Sequence, residues 1–433
     1  MPKSHHEMDF YQWGKIYGDV IHLHVLGKSI LVLNSATELL EKRSGINSGR
    51  PRFPLFEMLG WDPSLTMLDY GNQFQLHRKM LHQYLNREQC IEYRPIQKQN
   101  VHGLVHKLAA NPEGSLETIE RFATGNIIRI AYGHHIVSND DGYYKIAHDA
   151  TTALFESGPA GGTPLDIFPF LEHFPSWFPG TYYANYARDK RHLARTFHEA
   201  PVQKVQEQMR AENAEPSFAQ SHLETMAREG SESRLTLHDI HGAASILHVV
   251  GTDTTTVTLT IFVLAMVLYP ECQRKAQEEL DAVLGPGRLP EFSDHVSLPF
   301  VECVWQETLR WHQAAPLGLP HVSAVDDVYN GMFIPKGTTI LSNIRAMTLN
   351  DKLYHEPSKF IPERFLPKPA GDGEPLPPVF GFGRRICPGR HFADGTLWMA
   401  IATILATLTI SKAFDKDGKE ITAEVKFKSA LLR

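Results

Sequence analysis

The chain has 433 residues, 42% of them hydrophobic and 21% charged, with a formal net charge of −6. That is an ordinary composition for a soluble globular protein, and its acidic balance gives no whole-chain case for binding nucleic acid. Its four cysteines (Cys90, Cys272, Cys303 and Cys387) include no Cys-x-x-Cys pair, which argues against a disulfide scaffold or structural zinc and fits a reducing compartment.

Taken in order, residues 10–44 begin with a short helix-like segment. An alternating pattern follows over Val20–Val25 and Ile30–Leu33, with a hairpin break at Gly27-Lys28. Residues 35–43 read as a capped helix, and the proline-rich stretch 45–66 as an irregular loop. A basic helix starts at Tyr70-Gly71, with Phe74 and Arg78 four apart and therefore on one face. Residues 85–212 are predominantly helical by periodicity, and the polar stretch 213–235 reads as a surface connection.

Leu237–Pro270 is the longest predicted helix and ends where its proline demands. Its middle holds Gly251-Thr252-Asp253-Thr254-Thr255, a glycine, hydroxyls and an acid that are poor choices for a helix interior. Local conflict of this kind is expected where function overrides stability. The apolar runs Val257–Tyr269 and Leu397–Ile410 are shorter than the ~20 residues a bilayer needs, so they read as core helices rather than membrane spans. A further amphipathic helix spans 270–284, and Glu307 and Arg310 share a face of the next. Strands of a small sheet follow over 327–341, with a turn at Tyr329-Asn-Gly. After Pro362-Glu-Arg364-Phe365 and a Pro/Gly-rich meander comes a cysteine loop, then an apolar helix over 391–410 and a hairpin-like end from Lys416.

The cysteine loop is Phe380-Gly-Phe-Gly-Arg-Arg385-Ile-Cys387-Pro-Gly389. Glycines 381, 383 and 389 free the backbone for the close approach of a flat group. The following helix start places N–H groups and positive partial charge near the sulfur, which favours thiolate. A lone cysteine is most often a small buried hydrophobe; the full spacing Phe-x-x-Gly-x-Arg-x-Cys-x-Gly sets this one apart. Together with Phe74 and Arg78, Gly251-Thr-Asp253-Thr254, Glu307-x-x-Arg310 and Pro-Glu-Arg364-Phe, in that order, it resembles the cytochromes P-450, the haem-thiolate monooxygenases, over nearly the whole chain.

The resemblance implies a mainly α fold with a small β part, one domain over 1–433, and β-rich regions at about 15–35 and 320–345. Haem b would lie between a long distal helix and the proximal cysteine loop, with the Cys387 thiolate as metal ligand. Arg78, His321 and Arg385 would bind the haem propionates by charge-assisted hydrogen bonds. Phe74 would flank the haem where the family usually has tryptophan, and Phe380 would shield the sulfur. Asp253 and Thr254 would be the catalytic acid–alcohol pair, fed by a water chain, and Gly251 would open a notch in the helix. Glu307, Arg310 and Arg364 would form a buried ion network that fixes the haem loop.

The expected reaction is hydroxylation or a related oxidation of a hydrophobic small molecule with O2, in secondary metabolism or xenobiotic oxidation. Electrons would come from NADPH–cytochrome P-450 reductase, with cytochrome b5 a second candidate donor, docking on Arg78, Lys79, Arg384, Arg385 and Arg390. Substrate contacts are expected from Phe53, Leu55, Phe155, Phe168, Ile246, Val249, Ala315, Leu317 and Ala430. By resemblance the body is a fungal, membrane-associated type on the cytosolic face of the endoplasmic reticulum. The family's N-terminal anchor and extreme C-terminus are missing from the sequence. An alternative is a haem-binding but catalytically impaired truncated form, and a second is isomerisation or dehydration without dioxygen, against which Asp253-Thr254 speaks.

Overall fold

The computed structural model describes residues 5–35, 37–136, 138, 140–158, 161–421, 425 and 427. Two distant parts of the chain meet in one four-stranded sheet. Strands β1 (Val20–Val25) and β2 (Lys28–Leu33) form an antiparallel hairpin with Val25 opposite Lys28. Strands β3 (His321–Val322), β4 (Asp327–Tyr329), β5 (Met332–Ile334) and β6 (Thr339–Ser342) follow much later. The sheet order is β1-β2-β6-β3, with β2 and β6 parallel, while β4 and β5 form a separate hairpin. Asn330 and Gly331 both adopt positive φ between β4 and β5, the backbone a two-residue hairpin turn requires.

The helix Leu237–Leu268 is the element around which the α-rich part packs. Its 32 residues span about 48 Å at the α-helical rise. A capping box starts it: Asp239 N–H donates to Thr236 Oγ1, and Thr236 N–H donates to the Asp239 carboxylate. Pro270 opens the next helix, Pro270–Leu284, so the helix stops at Leu268. Leu259, Ile261 and Phe262 enter one hydrophobic cluster, Ile240, Ala243 and Ile246 a second, and Val249 a third. By length and apolar composition this helix could cross a membrane, yet half of its most apolar stretch is buried inside the fold.

Three segments differ from the sequence reading. Among the described residues of 35–43 there is only the four-residue helix Glu38–Glu41, and Thr37 makes no side-chain cap. The supposed loop 45–66 contains the helix Pro54–Leu59, with proline at its start and Gly60 left-handed at its end, a proline–glycine punctuation that marks short helices. The supposed connection 213–235 contains the helix Phe218–Glu229, started by a Ser217 side chain that accepts from Gln220 N–H. Phe218, Ala219, Leu223 and Met226 form its apolar stripe beside the buried His222, and the polar residues between them give the stretch the composition of a connection.

Candidate active site

Cys387 stands one turn before the helix Arg390–Thr407. Its N–H donates to Phe380 O at 2.8 Å, which closes the glycine turn over the partly buried Phe380. Gly381 and Gly383 take φ of 80° and 46°, and a Cβ on Gly383 would lie 2.5 Å from Leu40 O. Only glycine fits there. Gly389 differs: its φ is −85°, so its backbone does not demand glycine, although a Cβ would sit 3.9 Å from Cys387 Sγ. Burial pushes the Cys387 thiol up, opposed by the N–H groups of Gly389 and Arg390 and by the Arg78 and Arg390 charges. The expected thiolate preference from the helix start is thus present but outweighed by desolvation. A coordinated metal ion reverses that balance, because a ligating thiol is deprotonated outright.

Near the sulfur lies a group of partly and fully buried cations. Arg78, on the helix Asn72–Leu85, is half-buried, interacts electrostatically with Cys387, and makes no hydrogen bond or ion pair among the described residues. The Arg385 guanidinium lies 3.8 Å from the centroid of the buried Phe74 ring. It donates from Nε to Ser48 O and from Nη2 to Leu68 O, both at 2.8 Å. Burial, foremost, lowers its pKa to about 10. Arg50, which sequence reasoning missed, donates to the carbonyls of Thr66, Leu319 and Pro320 and is lowered to about 9 by burial and by Arg385. Nothing in the sequence marks Arg50, since only the fold brings it to Arg385.

His321 is also buried, with Nδ1 2.8 Å from Asn47 O. Burial and the Arg50 and Arg385 charges lower it to about 3, so the ring is neutral. A neutral ring that donates from Nδ1 keeps Nε2 as an acceptor. It becomes a second donor only when a nearby anion draws a proton onto it.

None of Arg50, Arg78 and Arg385 forms an ion pair with a described carboxylate. The nearest attraction, from Asp69 to Arg385, comes from a carboxylate whose Oδ1 already accepts the N–H groups of Arg50 and Tyr70. Buried like charges without an anion are costly. A thiol ringed by N–H groups, next to unneutralised guanidiniums, fits a flat dianionic group that carries a metal, and so fits haem b with its two propionates.

On the central helix, Thr254 Oγ1 donates to Val250 O at 2.5 Å. Gly251 opens no notch: the helix is continuous, and a Cβ at 251 would meet Ile127 Cγ1 at 2.8 Å. The glycine therefore serves close packing against the helix Ser115–Tyr132. Asp253 makes no hydrogen bond or ion pair among the described residues, and its Oδ2 is buried without a partner. Burial, with a smaller contribution from Glu120, raises its pKa to about 7.

Glu307, Arg310 and Arg364 have fully buried side chains. Arg310 grips Glu307 by two bonds, from Nε at 2.7 Å and from Nη2 at 2.8 Å, while Arg364 Nε lies 3.3 Å from Glu307 Oε1. Ile361 N–H donates to the same carboxylate, and Arg310 also reaches the carbonyls of Thr348, Pro357 and Lys359. One acid thereby ties its helix to the segment that leads into the cysteine loop.

Other expectations divide. Phe53, Leu55 and Val249 share one hydrophobic cluster, whereas Ile246 belongs to a second and Leu317 packs on a third. Phe168 is exposed beside Phe170, and Ala430 lies outside the described residues. The proposed docking patch loses Arg385, which is buried, and Arg78, turned toward the sulfur; Lys79 and Arg384 remain exposed.

The comparisons with known proteins agree with this geometry. The family profile described as Cytochrome P450 matches residues 3–429. Cytochrome P450 monooxygenase 136 of Postia placenta is 36% identical, over 99% of this chain and 82% of that protein. Cytochrome P450 monooxygenase COX2 of Coprinopsis cinerea is also 36% identical, over 97% of this chain and 82% of its own. Cytochrome P450 monooxygenase claR of Ampulloclitocybe clavipes is 35% identical, over 96% and 79%.

Proposed function

The chain belongs to the cytochrome P450 family and is a haem-thiolate monooxygenase, and from that premise we propose which of its residues do the work. Haem b, when bound through a cysteine thiolate, supplies the activation of dioxygen and the oxidation of the organic substrate. Cys387 is the thiolate ligand, and the Gly389 and Arg390 N–H groups hold its sulfur's negative charge. Phe380 covers the loop through the bond its carbonyl accepts from Cys387.

Arg78 and Arg385 receive the propionates, and His321 joins them once protonated. Arg50 adds positive charge behind Arg385. Phe74 offers a ring face to Arg385 where an indole would offer an N–H. Asp253 holds an exchangeable proton near neutrality, and Thr254 holds one on the same helix. The Glu307–Arg310–Arg364 network keeps the cysteine loop in place. The thiol of Cys387 beside Arg78, which has no hydrogen-bond or ion-pair partner among the described residues, carries this assignment.

The family implies a redox partner, and we assign that role to NADPH–cytochrome P-450 reductase, with cytochrome b5 as a second donor. The exposed Lys79 and Arg384 supply positive charge for docking. The apolar Phe53–Leu55–Val249 cluster points to a hydrophobic small substrate, of the kind met in secondary metabolism or detoxification. The whole of 1–433 forms one haem domain, attached at the cytosolic face of the endoplasmic reticulum.

Purified holoprotein with the reductase and NADPH, screened against hydrophobic organic molecules, tests the assignment. A substrate found this way should incorporate one atom of labelled dioxygen. With Asp253→Asn or Thr254→Ala, the share of NADPH electrons ending as hydrogen peroxide or water should rise severalfold. Unchanged coupling in both variants would remove Asp253 and Thr254 from the catalytic role.

A further inference from the structure

A narrow polar cleft opens on the side of the central helix that faces the helices Ser115–Tyr132 and Gly142–Glu156. Asp253, Thr252 and His248 line it from the central helix, and Glu120, Tyr144 and His148 from the other two. Its inner wall carries an unusual concentration of unsatisfied polar atoms. Asp253 Oδ2, Thr252 Oγ1 and both ring nitrogens of His248 are buried with no hydrogen-bond partner among the described residues. Four orphaned atoms on consecutive turns of one helix, bordering one cleft, are the signature of a bound water. The cleft has room for roughly one.

His248 suits that purpose. Full burial lowers its pKa to about 3, so the imidazole stays neutral and offers one donor and one acceptor. A neutral ring of this kind can hold a water without adding charge beside Asp253. At the outer end, Glu120 Oε1 lies 3.8 Å from His148 Nδ1, with side-chain exposures of 36% and 57%. Glu120 also faces Tyr144, whose hydroxyl burial holds in its neutral form, and Arg121 faces Tyr144 from the same helix as Glu120. The cleft thus runs from two solvent-facing titratable groups to one buried acid.

We propose that this cleft is the proton inlet of the enzyme, in which Glu120 and His148 collect protons from solvent and a water held by His248 and Thr252 delivers them to Asp253. The inference rests on the assignment of Asp253 above and adds the outer residues, none of which belongs to the sequence motifs. Each proton Asp253 releases toward the reaction is replaced by one from the cleft water, which recovers its own from Glu120 or His148. Nothing is oxidised or reduced in the relay, and its charge is unchanged after each turn. Glu120 also accounts for part of the upward push on Asp253, so the collector and the acid are electrostatically linked.

The test is a pH titration of the protonated-carboxyl infrared band that disappears in Asp253→Asn. It is read on holoprotein whose reduced carbon monoxide spectrum matches the wild type, so that failure of the inlet is separable from failure of haem ligation. Glu120→Gln should move the band's midpoint to lower pH, because it removes the like charge. His148→Gln should leave the band in place and slow its exchange in deuterium oxide. His248→Phe should raise the midpoint by removing the water, whereas His248→Gln should restore it toward the wild type. A band unmoved by Glu120→Gln, together with wild-type exchange in His148→Gln and His248→Phe, would overturn the inlet.

Discussion

A half-buried guanidinium with no hydrogen bond is a poor element of a folded protein on its own, and among the described residues Arg78 is such a group. Its position four residues after Phe74 was legible as a shared helix face, but not its isolation from every described carboxylate. Arg78→Leu should bind haem about 10- to 150-fold more weakly, the range expected from losing a hydrogen bond to a charged group worth ~1.5–3 kcal/mol. Titration of haem into the haem-free protein measures this, and equal affinity would separate Arg78 from the propionates. Asp253 is a second group held away from its ordinary ionisation. Its folded pKa, about 7, lies above the ordinary carboxylate value, so the native state favours the protonated acid and loses stability as pH rises toward 7. Asp253→Asn should therefore be more stable than wild type above about pH 7, with the gain shrinking to nothing near pH 4. Denaturant unfolding at several pH values checks the sign. The sequence marked Asp253 as misplaced in a helix interior, whereas His248 and Glu120 carried no such mark because only packing brings them to the same cleft.

Among the elements, the central helix was the most readable. Proline ends it, Thr236 and Asp239 cap it, and its apolar faces are buried in three clusters. The reason for Gly251 was not readable, since a helical glycine looks the same whether it yields a notch or admits a neighbour. The 2.8 Å approach of Ile127 decides for the neighbour. Gly251→Ala should cost ~1–3 kcal/mol through overpacking, and Ile127→Ala in the same chain should recover part of that loss. Thermal unfolding of the single and double variants checks this; additive losses would contradict the contact. Short helices were hidden for a related reason. Pro54–Leu59 is too brief for periodicity and was signalled by Pro54 and Gly60, whereas Phe218–Glu229 carried the stripe Phe218, Ala219, Leu223 and Met226 after a Ser217 cap within a mostly polar stretch.

Across the whole molecule, the chain folds so that sequence-distant pieces converge on one sulfur. The β1-β2-β6-β3 sheet pairs residues near 30 with residues near 340, and its His321 reaches Asn47. Arg385 bonds to the carbonyls of Ser48 and Leu68, and Glu307 clamps the segment that leads to the cysteine loop. Motif order in the sequence announced this convergence, but not the mutual repulsion of Arg50, Arg385 and Arg78 that makes the site receptive to a dianion. The proposed ligand of the haem iron is the thiolate of Cys387. This ligation is tested most directly by the visible spectrum of the reduced protein under carbon monoxide, compared with Cys387→Ala. The wild type should show the red-shifted Soret band of a thiolate-ligated haem, and the variant, still carrying haem, should lack it. The same band position in both proteins would contradict the account.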